Sequence, residues 1–275
     1  MGLELFQYSF MVRGLVLGLI AAVIAPLIGV FLVLKRYSLI ADTLSHVSLA
    51  GIAIGLLFGL HPGLTALGTT VVTALGLERL RRSRIYSESA LAIFLSGSLA
   101  LAVVIFGLAR GFNVNILNYL FGSILTVTTS DIYLIGALAI VIGVAMIIFF
   151  KELVAVTFDE EAAQVVGLPV RLINTVFIIL AALTVAIAIP VVGVLLIAAL
   201  VVIPAVTALQ LRRNLVLTII YAELFSVLSV ASGILISFYL DLVAGGTIVL
   251  VMLAIFVFVS IFKPAIPGKE KEAGA

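Results

Sequence analysis

The sequence predicts an all-α integral membrane protein, a polytopic bundle of about nine transmembrane helices, eight to ten being the range its apolar pattern allows. Three observations predict it. The chain is 64% hydrophobic and 10% charged, with a mean hydropathy of +1.43, whereas soluble domains carry about 25% charged residues. Its apolar residues fall into runs near the roughly 20-residue length that crosses a bilayer. Its basic residues collect in alternate gaps between those runs.

The runs lie at about 12–34, 39–60, 62–80, 89–109, 131–150, 171–189, 190–211, 215–239 and 245–262. The first is expected to be retained rather than cleaved, since it is long for a signal-peptide core and KRYSLIAD lacks a small-x-small cleavage pattern. Between the fourth and fifth runs, Ile116 to Val127 is apolar but too short to span, which suits an interfacial or re-entrant piece. Strict alternation puts every basic residue except Arg13 and Arg110 on one side. The positive-inside rule makes that side cytoplasmic, with the N-terminus out and the C-terminus in. Residues 1–263 then form a single transmembrane domain with a cytoplasmic loop at 151–171, and 264–275 form a solvated tail. No nucleic-acid contact is expected of such a chain, and its surroundings are the lipid bilayer.

The second run carries an ionisable pair, Asp42 and His46, four residues apart. At 3.6 residues per turn Ser38, Asp42, Ser45, His46 and Ala53 share one face. A carboxylate inside a bilayer costs roughly 2.5–3.5 kcal/mol on insertion scales, so it needs water, a partner or an ion. An aspartate–histidine bond pinning two helices would satisfy it. So would a divalent cation, because imidazole with carboxylate suits zinc, manganese or iron(II), and the chain has no cysteine. Two ligands leave a site incomplete, and a two-fold homodimer would supply four.

Gly51, Gly55 and Gly59 form a stripe of small residues on the roughly opposite face, built for close helix packing, with Gly14, Gly18 and Ala22 of the first run as a matching stripe. His61, before Pro62, could receive an incoming metal or serve as a turn residue. Glu223 could be a second pathway residue or could snorkel toward the cytoplasmic interface. Asp241 reads as a turn acid.

In FDEEAAQVVGLPVR, Asp159 can cap a helix, Glu160 and Glu161 suit its N-terminal dipole, and Gly167 with Leu168 and Pro169 ends it. A rigid helix outside the membrane is a surface that a partner protein can push against. The chain holds no Gly-x-x-x-x-Gly-Lys-Ser/Thr loop, so it is not itself a Walker-type ATPase, and any ATP is hydrolysed on a separate subunit. It also lacks HExxH, G-x-S-G and G-x-G-D, which argues against an intramembrane enzyme.

Three phrases carry a resemblance: LKRYSLIADTLSHVSLAGIAIG, the long stretch from FDEEAAQVVGLPV to IPAVTALQL, and SGILISFYLDL. They resemble the membrane permease of the manganese/zinc/iron ABC importer family. The resemblance implies a homodimer in a prokaryotic cytoplasmic membrane, with two cytoplasmic ATP-binding subunits docked at 159–169. It implies too an extracytoplasmic metal-binding protein that delivers the ion. Metal contact would fall to Asp42 and His46, with the metal as substrate and no permanently bound cofactor. The chain departs from the family at 241–246, where a proline and a small hydroxyl residue are replaced by Leu242 to Gly246. A siderophore- or cobalamin-type ABC permease would share the topology, and a proton-coupled secondary metal carrier would share the ligand pair.

Overall fold

The computed structural model describes residues 9–82, 87–108, 116–122 and 129–262, and among these there is no strand. Arg84, Arg110, Asn113, Asn115 and the tail from 264 lie outside the described residues. Each of the nine apolar runs is a helix: α1 (Ser9–Leu34), α2 (Ser38–Leu57), α3 (Pro62–Arg82), α4 (Ser87–Leu108), α6 (Thr129–Ile148), α9 (Val170–Val192), α10 (Ile197–Leu209), α11 (Leu215–Leu240) and α12 (Ala244–Phe262). Three short helices complete the order: α5 (Ile116–Phe121), α7 (Phe150–Phe158) and α8 (Glu160–Val165).

Seven of the nine long helices are long and apolar enough to cross a membrane. The other two depart for separate reasons. α3 carries Thr65, Thr69, Thr70 and Thr73 and ends in charge, and its hydroxyls return to carbonyls of the preceding turn, as Thr70 does to Ala66 at 2.6 Å. α10 has only 13 residues and is preceded by a 3₁₀ turn, Val194–Leu196.

The molecule is arranged around α1, α2, α9 and α10. Leu17, Ala22, Ala25, Ile28, Phe31 and Leu32 of α1 are fully buried, and α1 packs mainly on α11, α10, α9 and α6. α4, α6 and α12 lie outside, with side chains such as Ile93, Ile147 and Ile261 about 70% exposed or more. That outward apolar surface suits lipid.

Close backbone approach fixes the neighbours. A Cβ at Gly29 would lie 2.0 Å from the Val201 carbonyl oxygen, so α1 and α10 touch through that glycine. At Gly51 a Cβ would lie 2.0 Å from Thr69 Oγ1, and at Gly55 2.2 Å from Thr65 Oγ1. The stripe of small residues on α2 therefore packs on α3, not on α1, whose contact with α2 is slight. Gly59 takes no part in packing. Nothing approaches within 4 Å of its Cβ position, and it sits at φ +66°, ending α2 with Leu60 N–H donating to the Gly55 carbonyl at 2.8 Å.

The break between the sixth and seventh runs falls later than Pro190. α9 continues to Val192 and stops at Gly193, φ 84°. A Cβ there would come within 2.3 Å of Gly122 N, and one at Gly245 within 2.4 Å of the carbonyl oxygens of Phe121 and Val192. The end of α5, the α9–α10 break and the start of α12 thus meet backbone to backbone. The short apolar segment at 116–121 closes this junction.

Candidate metal-binding site

Asp42 and His46 occupy the second turn of α2 and the turn after it, about 6 and 12 Å from the helix start at 1.5 Å per residue. His46 Nε2 lies 3.8 Å from Asp42 Oδ1. His46 is 7% exposed, and its Nδ1 is buried with no hydrogen-bond partner. Asp42 is a third exposed at the side chain, so one member of the pair is enclosed and the other opens outward. The Ser45 hydroxyl donates to the Asp42 carbonyl oxygen at 2.7 Å. Among the described residues no group of three or more His, Cys, Asp or Glu side chains gathers to hold a metal. The pair stands as two neighbouring donor side chains.

The remaining candidates are dispersed. His61 is exposed beyond the far end of α2, where its carbonyl accepts from the N–H groups of Leu64 and Thr65 at 3.1 and 3.2 Å. It is a turn residue that opens α3. Glu223 is half-buried in α11, a helix that packs on α1, α12 and α10 rather than on α2. Asp241 caps α11 in the left-handed region at φ 52°.

The α8 segment forms as its composition demands. Asp159 is extended and accepts from Ala162 N–H at 2.9 Å. Gly167, at φ 90°, and Leu168 close the helix, the latter donating to Ala163 at 3.0 Å. Pro169 is the N-cap of α9. The expected single short helix is in fact two, because α7 precedes it after a bend at Phe149. α7 is anchored by Phe150, edge-on to Phe31 at 6.1 Å, and by buried Leu153 and Val156.

Glu160 and Glu161 have different surroundings. Glu161 is exposed. Glu160 is turned inward, where its Oε1 accepts from Asn174 Nδ2 at 3.0 Å and lies 3.5 Å from Lys35 Nζ and 3.8 Å from Arg81 Nη1. Lys35 Nζ also donates to Asn174 Oδ1 at 2.9 Å. Arg81 grips Glu78 with two bonds of 3.0 and 3.1 Å and donates to the Tyr37 hydroxyl. The side chains of Lys35 and Glu78 are 4% and 3% exposed, so these charges are held by partners and not by water. Burial pulls the Lys35 ammonium below its ordinary pKa, and the Glu160 carboxylate pulls it back up.

This cluster was not foreseen, although Asn174 stands in an apolar run as conspicuously as Asp42 does. Also unforeseen is a patch on α7 and α8 where Phe158, Val165 and Val166 are 66%, 88% and 81% exposed.

A "Probable metal transport system membrane protein" of Treponema pallidum is 36% identical over 257 residues, covering 93% of this chain and 96% of that one. The "High-affinity zinc uptake system membrane protein ZnuB" of Haemophilus influenzae is 32% identical over 258 residues, covering 94% and 98%. Among solved structures, PsaBC from Streptococcus pneumoniae in complex with Fab has a similar chain, with TM-score 0.86 and 28% identity over 96% of this chain and 94% of that one. The model of the ABC 3 transport family matches residues 7–263, nearly the whole helical bundle, and the chain belongs to that family of membrane transport proteins.

Proposed function

We propose that this chain is the membrane permease of an ATP-driven importer that moves a divalent transition-metal ion into the cytoplasm, with Asp42 and His46 contacting the ion. The observation that carries this reading is the enclosed imidazole of His46, 7% exposed, whose Nε2 faces the Asp42 carboxylate at 3.8 Å. A cation held between that nitrogen and the carboxylate would satisfy both. Imidazole and carboxylate together match zinc, manganese and iron(II). Two ligands per chain hold an ion loosely, which suits a path that must release what it binds. A two-fold partner chain presenting its own Asp42 and His46 would complete four-coordination.

The remaining parts follow from the same reading. The N-terminus lies outside and the C-terminus inside, by the distribution of basic residues. Two ATP-binding subunits dock on α7 and α8, where Phe158, Val165 and Val166 offer an apolar surface. A metal-binding protein delivers the ion from the other side, and closure of the ATP-binding subunits drives alternating access. The ion is substrate, and no permanently bound cofactor is needed.

The test is uptake of radioactive zinc and manganese into vesicles holding the permease with its ATP-binding subunits. Asp42→Ala and His46→Ala should each remove at least about nine-tenths of ATP-dependent uptake, the scale of losing one ligand of a small set. Uptake unchanged in both variants would refute metal contact. Competition by a chelated ion better than by the free ion would instead favour a metal-chelate permease.

A further inference from the structure

We infer that Glu160 is a latch that ties α8 to the start of α2, so that movement of α8 repositions the helix carrying Asp42 and His46. The inference rests on the ATP-driven reading above and adds to it the residues that carry the motion within this chain.

Four segments far apart in sequence converge on one carboxylate oxygen. Lys35 belongs to the α1–α2 linker, Arg81 to the last turn of α3, Asn174 to the second turn of α9, and Glu160 to the first turn of α8. Of the four, Glu160 is the one on the short helix with the exposed apolar neighbours Val165 and Val166. The linker it reaches is short and bent. Arg36 follows Lys35 at φ 61°, in the left-handed region that non-glycine residues seldom occupy, and α2 begins two residues later at Ser38. Asp42 lies seven residues beyond Lys35 and four residues into α2, so a shift of the linker that carries the start of α2 moves Asp42 with it.

The contacts are also built to be broken singly. Glu160 is 41% exposed at the side chain, while the Lys35 side chain is 4% exposed, so the carboxylate can withdraw with α8 and release the linker to move. Lys35 keeps Asn174 as a partner, and Arg81 keeps Glu78 and Tyr37. Neither cation is then stranded, which keeps the unlatched state within reach. A cleft bordered by Lys35, Arg36, Tyr37, Glu78, Arg81 and Glu88 gives the linker room to move. The result is a two-state element that an outside partner can bias through α8.

The chain has no cysteine, so a single reporter thiol is clean. Leu39→Cys, at a position 57% exposed in the first turn of α2, would be placed in the permease assembled with its ATP-binding subunits in vesicles. Two quantities are read: the thiol's modification rate with and without a non-hydrolysable ATP analogue, and manganese taken up per ATP hydrolysed. Without further substitution the nucleotide should change the labelling rate several-fold.

Glu160→Gln should abolish that change and cut ions moved per ATP by about tenfold, within the range of coupling between sites. ATP hydrolysis should persist. The reversed pair Glu160→Lys with Lys35→Glu should restore a nucleotide response that each single reversal lacks. A nucleotide response in Glu160→Gln equal to that of the parent overturns the latch, as does a reversed pair no better than its single variants. If the latch is right and manganese is the wrong ion, labelling still responds and still fails in Glu160→Gln, so loss of uptake alone counts against the function and not against the latch.

Discussion

Arg81 and Glu78 show how a charge is tolerated at the end of this bundle. The Glu78 side chain is 3% exposed and takes both of its strong bonds from one guanidinium, in the planar, two-point geometry that only arginine offers. Removing the arginine takes two charge-assisted bonds from a buried carboxylate. Arg81→Ala is therefore expected to destabilise the protein by about 3–5 kcal/mol, visible as a lowered thermal unfolding midpoint in detergent. Replacing both residues by apolar ones of similar volume, Arg81→Met with Glu78→Leu, should recover most of that loss. Equal melting of the single and double variants would mean that the buried carboxylate is not the source of the loss. His46 differs at the same scale: its Nδ1 is buried without a hydrogen-bond partner. Both carry a polar atom in an apolar place, and only Glu78 has a partner to account for it.

At the scale of elements, glycine decides which helices touch. Gly51 and Gly68 make a direct contrast. A Cβ at Gly51 would meet Thr69 Oγ1 at 2.0 Å, the Ala66 Cα at 2.8 Å and the Thr65 carbonyl at 2.9 Å, whereas one at Gly68 on α3 would meet nothing within 4 Å. Gly51→Ala must push α2 and α3 apart and should cost about 1–3 kcal/mol as overpacking. Gly68→Ala should be neutral or stabilising by up to about 1 kcal/mol, since alanine is the better helix former. Thermal unfolding of the two variants in one detergent checks the order, and the reverse order would remove the close α2–α3 approach. The stripe of glycines was legible because helical periodicity places residues on faces. Its neighbour was not, because periodicity says nothing of what lies opposite. In the same way the nine helices were written in apolar run lengths, while the bend at Phe149 falls at the end of the fifth run, where Lys151 and Glu152 read as the start of a loop and not of a second helix. The Asp42/His46 pair could be read because its members are four residues apart. Lys35 and Glu160, separated by 125 residues, meet only through the fold, and in the sequence Glu160 read as a helix-end charge like Glu161.

For the whole molecule, the arrangement separates the Asp42/His46 pair from the exposed apolar surface of α7 and α8. Asp42 and His46 sit within the bundle, and α7 and α8 project an apolar surface at the end where α2 begins. Phe158, Val165 and Val166 are far more exposed than isolated structural residues of a helix pair need to be, and apolar surface of this kind outside a bilayer marks a protein contact. Val165→Asp with Val166→Asp should therefore release the ATP-binding subunits without unfolding the permease, because neither side chain packs internally. The expected result is loss of at least about nine-tenths of co-purified ATP-binding subunit, in keeping with a charge placed in a small apolar contact. The melting temperature of the isolated permease should not change. A secondary, proton-coupled carrier would behave otherwise: its uptake would survive the double substitution and collapse with the proton gradient. Uptake that is lost with the docking surface, and that persists in vesicles made leaky to protons while ATP is supplied, assigns the driving force to the partner subunits; the opposite pair of results would assign it to the ion gradient.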